Sequence, residues 1–444
     1  MTYPAVKQYL NSLINYEKNT NYSYAQTIKL KRIRDFLSLI GDPQSSLRVI
    51  HIAGTKGKGS TSAMVAYILR EAGFNVGLYT SPHLNDFRER IRILKPVSPG
   101  SRLKAQDFEG MISKKQLWSL VEELKPSIDK YNRRSRHGAL SFFEVYTALA
   151  FLYFKRKQID FAVLETGMGG RLDATNSVDS LVCGITPLSF EHVQKLGNTL
   201  SEIAEQKAGI IKKNGAVVVS APQIKEARQV ICNRCRKFRA RLYEVGNQIK
   251  YFQSRKSLTI KGLKNNYRNL RLNLLGEHQE ANAALAVGLV ESLSFHGFNV
   301  PVSAIARGLG KTVWPGRCEV VQRNPLVVLD GAQNLASARV LKKAIRDNFK
   351  YRKVVLVLGV SSDKDIQGIC KELDSLADEV ILTSAATPRA AEAVQLAGNF
   401  RRKIYLTSNV KEAKFLTSKL AGKKDLILVT GSLFLVGEFR NDKR

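Results

Sequence analysis

Residues 47–73 read LRVIHIAGTKGKGSTSAMVAYILREAG, and the order of residue types in this stretch decides the fold. Its first part, LRVIHIAG, is short, apolar and β-branched and stops on Gly54, the pattern of a strand buried on both faces of a parallel sheet. From Ser60 onward the apolar positions Met64, Val65, Ile68 and Leu69 recur at helical spacing, and Gly73 ends the run where a C-terminal glycine belongs. Between strand and helix lies GTKGKGS. Strand, glycine-rich turn, helix is the order in which backbone NH groups and a helix N-terminus can hold a phosphate. The glycines admit close backbone approach, Lys58 can neutralise terminal phosphates, and the Ser60 hydroxyl can ligate magnesium. The general pattern G-x-x-x-x-G-K-[ST] is not met, because only two residues separate Gly54 from Gly57 and Gly59 stands between Lys58 and Ser60. On this context alone, a glycine-rich turn without ligand stays open as an alternative.

Working outward, VGLYT (76–80), FAVLET (161–166), SLVCGIT (180–186) and AVVVSA (216–221) read as further buried strands with helical stretches between most of them. This alternation predicts a doubly wound α/β unit with a mostly parallel sheet. After a helical stretch at 279–293 a second alternation begins, with strands LVVLD (326–330), VVLVLG (354–359), EVILT (379–383) and DLILVT (425–430). The glycine and proline in SFHGFNVP (294–301) mark the linker, so the expected domains are 1–296 and 297–444. The segment 96–101 reads as an ordinary loop.

The bulk numbers bound the class. A chain of 444 residues exceeds what one core organises, and 44% hydrophobic with 24% charged residues is ordinary for a globular protein. No run of about 20 apolar residues is present to span a bilayer, and the N-terminus carries no export pattern, so the expectation is a cytoplasmic protein without a membrane partner. Five scattered cysteines argue against a disulfide framework. Cys232 and Cys235 form an isolated pair that reads as structural, not as a zinc site. The unusual quantity is charge: 70 Lys and Arg against 38 Asp and Glu give +32. Spread along the whole chain, these cations read as solvated faces that attract anionic small molecules, with no dedicated nucleic-acid partner; a phosphate-loop nucleic-acid-binding ATPase is the alternative.

Other candidate residues follow from strand ends, where ligands gather in such sheets. Glu165 closes FAVLET and opens ETGMGGRLDATN (165–176); its carboxylate suits a hard divalent cation and equally suits bracing a loop. Glu191 and His192 lie just beyond the strand ending at Thr186, and Lys207 sits on an apolar-patterned helix in IAEQKAGIIK.

Taken together, GTKGKGS, TSPHL (80–84), SFFE (141–144), ETGMGGRLDATN, LGNT with IAEQKAGIIK, GEHQEANAA (276–284), WPGR (314–317) and DGAQN (330–334) resemble the folylpolyglutamate synthase/dihydrofolate synthase family of the Mur ligase superfamily. The resemblance runs in one order over residues 20–440, and the shorter phosphate loop is the form that this superfamily uses. It implies an ATPase domain followed by a smaller Rossmann-like domain, and ligation of L-glutamate to tetrahydrofolate or dihydropteroate through an acyl phosphate, by a monomer. A UDP-muramoyl amino acid ligase is the alternative within the superfamily.

The resemblance also implies roles. Gly54, Thr55, Lys56, Gly57, Lys58, Gly59 and Ser60 would hold ATP, with Asn282, Arg317 and Asp330 as further nucleotide contacts that place ATP between the domains. Ser60, Glu165 and His192 would be the magnesium ligands. Lys207 matches the superfamily's carbamylated lysine, and with Lys58 and His192 it makes the catalytic set. His83, Ser141, Phe143, Asp173 and Ala174 match the segments that surround the pterin, where an aromatic face and a carboxylate suit a flat heterocycle. Read without the family, Phe143 could be core and Asp173 could cap the following turn. Three departures stand out: Gln333 replaces a family histidine, Glu191 an aspartate and Gln206 a glutamate. The family's LGLER element is poorly reproduced in TIKLKRIRDFL (27–37), a segment tied to dihydropteroate use.

Overall fold

A computed structural model describes residues 2–17, 22–97, 107–254 and 257–441; positions 98–101 of the expected loop lie outside these residues. The chain divides into two compact units. Met1–His83, Arg88–Asn273 and Glu280–Val313 form the first, and Leu84–Phe87, Leu274–Gln279 and Trp314–Arg444 the second. The main division therefore falls after Val313 and not in the stretch 294–301. The cause is the helix Val302–Lys311, which packs on Lys58–Glu71 so closely that a Cβ on Gly308 would lie 2.4 Å from Ile68 Cα. Glycine there lets two helix backbones approach, and the pair of helices belongs to one core.

Among the described residues the main sheet of the first unit has seven strands: β1 (Val49–Ala53), β2 (Val76–Tyr79), β3 (Ile91–Leu94), β4 (Phe161–Glu165), β5 (Ser180–Ile185), β6 (Val217–Ser220) and β7 (Arg241–Glu244). Their order is β3-β2-β4-β1-β5-β6-β7, parallel throughout except for β3, which runs antiparallel to β2. β1 is buried along its whole length, as its unbroken apolar run requires. β4 and β5 flank it, with Ile52 opposite Glu165 and Ala53 opposite Ile185. From β1 the chain steps over β4 to β2, while β5, β6 and β7 extend the sheet on the other side. The carboxyl ends of β4, β1 and β5 consequently meet at a topological switch point. A small antiparallel sheet, β8 (Lys250–Ser254), β9 (Ser257–Lys261) and β10 (Asn266–Leu270), completes the first unit.

Among the described residues the second unit has six strands, β11 (Glu319–Arg323), β12 (Leu326–Leu329), β13 (Val354–Leu358), β14 (Glu379–Leu382), β15 (Lys403–Leu406) and β16 (Leu426–Thr430), in the order β11-β12-β16-β13-β14-β15. Only β11 is antiparallel. Val354, Leu356 and Leu358 enter one apolar cluster and Val355 and Val357 another, so both faces of β13 are covered. Both units are α/β folds with mostly parallel sheets.

The five cysteines are free thiols, and Cys235 points from the helix Lys225–Lys237 into the core. Some of the basic excess is internal: Arg70, Arg90 and Arg92 are among the largest fully buried side chains. Arg70 pairs with Glu71 at 2.8 Å and Glu109 at 2.7 Å, and its guanidinium stacks on Tyr67. Among the described residues no helix is long and apolar enough to cross a membrane.

Candidate active site

β1 ends at Ala53 and the helix Lys58–Glu71 begins five positions later, with Gly57 as its cap in the left-handed region. At its two glycines the turn has no room for a side chain. A Cβ on Gly54, at φ +151°, would lie 1.8 Å from Thr186 Oγ1, and one on Gly57, at φ +85°, would lie 2.4 Å from Asn282 Oδ1. The helix Glu277–Glu291 thus brings Asn282 directly against the phosphate loop. Thr55 N and Lys56 N donate to Pro187 O at 3.1 and 3.3 Å, and Thr55 Oγ1 exchanges hydrogen bonds with Ser189 O and N. Lys56 Nζ reaches Glu191 at 2.5 Å. Burial pushes the Glu191 carboxyl up, but Lys56, with Lys58 and His192 adding to it, outweighs burial and holds it at about 2. The segment after β5 therefore clasps the loop through backbone and charge together.

Lys207 is buried on the helix Leu200–Ala208 and donates to Gly54 O at 2.7 Å. Burial, and then the positive charge of Lys58, bring its amine down to about 7, near the point where neutral and charged forms are equal. The sequence pattern did not separate this lysine from a surface one; its 153-residue separation from Gly54 explains why. The neighbouring departure Gln206 acts through its backbone: Gln206 O accepts from Arg171 N at 2.6 Å and lies 2.8 Å from where a Cβ on Gly170 would fall.

Glu165 is buried at the end of β4, and its Oε2 accepts from Ser81 N at 3.1 Å, which brings the TSPHL loop to this strand end. The sequence reading passed over Ser81. Ser60 is buried at the start of the helix, and His192, in the left-handed region, precedes the short helix Val193–Leu196. Hydroxyl and carboxylate oxygens are a donor set for a hard cation. The buried hydroxyls of Thr61, Thr166 and Thr186 have no partner within the protein, so the strand ends and helix start are polar without being self-satisfied. Among the described residues no three His, Cys, Asp or Glu side chains group as a metal site. The oxygens of Ser60 and Glu165 are of the kind that magnesium takes.

Of the residues matched to the pterin segments, Phe143, Asp173 and Ala174 meet at the loop 165–176. Phe143 is half-buried, with its ring end 2.6 Å from where a Cβ on Gly167 would sit, so ring and loop are in face contact. Ser141 caps the helix Phe142–Arg156 in a reciprocal capping box with Glu144. Arg32, from the segment 27–37, donates through Nε to Glu144 Oε1 at 2.8 Å. His83 Nδ1 accepts from Arg90 Nε at 2.9 Å, and Arg90 is held by Glu17 at 2.7 and 2.6 Å. Asp173 caps the turn Ala174–Ser177, as its bland reading allowed: Oδ1 accepts from Thr175 N and Oγ1, and Oδ2 from Met168 N.

In the second unit, Asp330 at the end of β12 accepts from Cys318 N and Ala332 N, both at 2.8 Å. Burial raises its pKa against the lowering field of Arg317. Gln333 N donates to Ser337 Oγ beside the capping residue Asn334.

A mostly parallel sheet with a short phosphate loop at its switch point, a buried lysine that donates to that loop from a neighbouring helix and a second α/β unit define a Mur-type ligase. The family models agree: the Mur ligase middle domain matches residues 134–290 and the Mur ligase glutamate ligase domain residues 316–433. The dihydrofolate synthase/folylpolyglutamate synthase of Bacillus subtilis is 34% identical over 93% of this chain and 94% of its own length. A structure of Mycobacterium tuberculosis folylpolyglutamate synthase complexed with ADP superposes with a TM-score of 0.86 at 30% identity, covering 99% of this chain and 97% of that one. E. coli FolC in complex with DHPP and ADP gives 0.85 at 27% identity, covering 99% and 97%. The chain belongs to the folylpolyglutamate synthase/dihydrofolate synthase family and is an ATP-dependent ligase.

Proposed function

We propose that this ligase joins L-glutamate to folate-type carboxylates, extending tetrahydrofolate with glutamate and converting dihydropteroate to dihydrofolate, with cleavage of ATP. The observation that carries the reading is the convergence of the loop Gly54–Ser60, Glu165 and the near-neutral Lys207 at adjoining strand ends of one sheet. The substrate oxygen attacks the γ-phosphorus, ADP leaves, and an acyl phosphate forms. The glutamate amine then attacks the acyl carbon, phosphate departs, and the ammonium proton is lost as the amide forms. Two anions meet in the first step, so fixed positive charge must offset their repulsion. Lys58 supplies part of it at the helix N-terminus. Ser60, Glu165 and His192 would hold magnesium, which supplies further neutralisation when bound.

Lys207 is half-neutral at about pH 7 and can take up CO2, forming a carbamate and releasing a proton. That exchange turns a buried cation into an anion beside Gly54. Thr55, Lys56, Gly57, Gly59 and Asn282 shape the phosphate seat. Arg317 and Asp330 stay assigned to the nucleotide on the resemblance. His83, Ser141, Phe143, Asp173 and Ala174 stay assigned to the folate, Asp173 through the loop that it shapes. A cytoplasmic monomer is the expected form. The test is glutamate-dependent phosphate release with dihydropteroate, tetrahydrofolate or a UDP-muramoyl acceptor. Release with either folate-type acceptor is expected; release with the muramoyl acceptor alone would overturn the reading.

A further inference from the structure

β1 delivers the phosphate loop, yet it also places His51 in the middle of the sheet with no exposed surface. An imidazole there needs a reason, since neither the loop nor the proposed chemistry uses it. Its Nε2 lies 2.8 Å from Thr175 Oγ1, and Thr175 Oγ1 lies 2.6 Å from Asp173 Oδ1. The second bond sets the direction of the first. A carboxylate oxygen only accepts, so the single hydroxyl proton of Thr175 points to Asp173 and its lone pair faces His51. Nε2 must then carry the imidazole proton, leaving Nδ1 bare. Nδ1 has no partner, which a lone pair tolerates better than a buried N–H would. The opposite direction needs a proton on Asp173; burial raises the pKa of this carboxyl, while the backbone donors Thr175 N, Met168 N and Gly167 N, which do not depend on the direction of the hydroxyl, favour its ionised form and with Thr175 Oγ1 make four donors. Burial, and then the charge of Lys212, keep the ring neutral, with a pKa of about 3.

Those four donors have a structural consequence. They draw the backbone of Gly167 and Met168 and the turn at Thr175 onto one carboxylate, and Gly167 is the surface on which the Phe143 ring rests. We propose that His51 is a positioning residue for the folate-type acceptor: through Thr175 it orients Asp173, and through Asp173 it sets the height of the loop 165–176 and the seat of Phe143. The same strand thereby sets the phosphate loop at one end and braces the acceptor loop from within. This rests on the reading of 165–176 as the acceptor loop.

The tautomer tests the wiring without any turnover. In full-length protein with 15N-labelled histidine, a long-range 1H–15N correlation identifies the His51 signals as those that vanish in His51→Gln. A neutral ring protonated on Nε2 is expected; protonation on Nδ1 would overturn the proposal. Kinetics test the consequence. His51→Gln keeps an NH near the Nε2 position and should leave both KM values within about threefold, whereas His51→Leu removes the donor and should raise the acceptor KM roughly tenfold with little change for ATP. Thr175→Val breaks the relay at its other bond and should give the same split, which covers the case of a His51→Leu chain that fails to fold. Equal changes in both KM values, or none in either, would mean that the relay only stabilises the sheet. Wild-type protein inactive on every folate-type acceptor would remove the functional reading instead, while the tautomer result would stand.

Discussion

Gly54 is held at φ +151° with Thr186 Oγ1 occupying the place of its missing Cβ, so a single methyl group must move either the loop or β5. Gly54→Ala is expected to lower turnover by about a hundredfold or more, because a displacement near 1 Å in a phosphate-positioning turn has that order of effect. Steady-state phosphate release checks it; a variant within tenfold of wild type would show that the turn is plastic. Lys207 makes a different prediction. Its amine titrates at about 7 when folded and at 10.5 when free, so between these values the unfolded chain holds the extra proton. Stability should rise with pH across that window and flatten below it. Urea unfolding in CO2-free buffer at pH 7, 8 and 9 should show this slope in wild type and lose it in Lys207→Met.

At the scale of elements, Lys56 and Glu191 join the phosphate loop to the segment after β5. Lys56 is 35% exposed, so solvent screens the pair and a double-mutant cycle with Lys56→Met and Glu191→Gln should return a coupling of about 1 kcal/mol. A coupling near zero would leave the clasp to the backbone bonds at Pro187 and Ser189. This pair also shows what a sequence conceals. β1, the glycine turn and the helix Lys58–Glu71 were legible because their signals are local, and the buried strands β2, β4, β5, β6, β12, β13, β14 and β16 announced themselves by apolar runs. β7 and β15 did not: RLYE and KIYL are short, charged at the ends and only partly buried. Lys56 and Glu191 lie 135 positions apart, and Arg32 and Glu144 lie 112 apart, distances over which no periodicity carries information. The motif Glu165–Asn176 was visible as chemistry, yet the inward use of Asp173 emerges only from the four donors around it.

On the whole-molecule scale, the +32 charge is the term with the longest reach. Polyglutamate tails add negative charge with each residue, so the field should favour longer acceptors, and salt should weaken that preference within a Debye length of about 8 Å at physiological ionic strength. The acceptor KM is expected to rise more steeply with salt for a long tail than for a monoglutamate; equal slopes would assign the basic surface to something other than substrate. The helix Val302–Lys311 bears on how the molecule is made. It completes the packing around Lys58–Glu71 through the Gly308 contact, yet it follows that helix by more than half the length of the chain. A ribosome must therefore pass Lys311 before the first unit can close over its phosphate-loop helix, and until then the Ile68 face stays open to solvent and to chaperones.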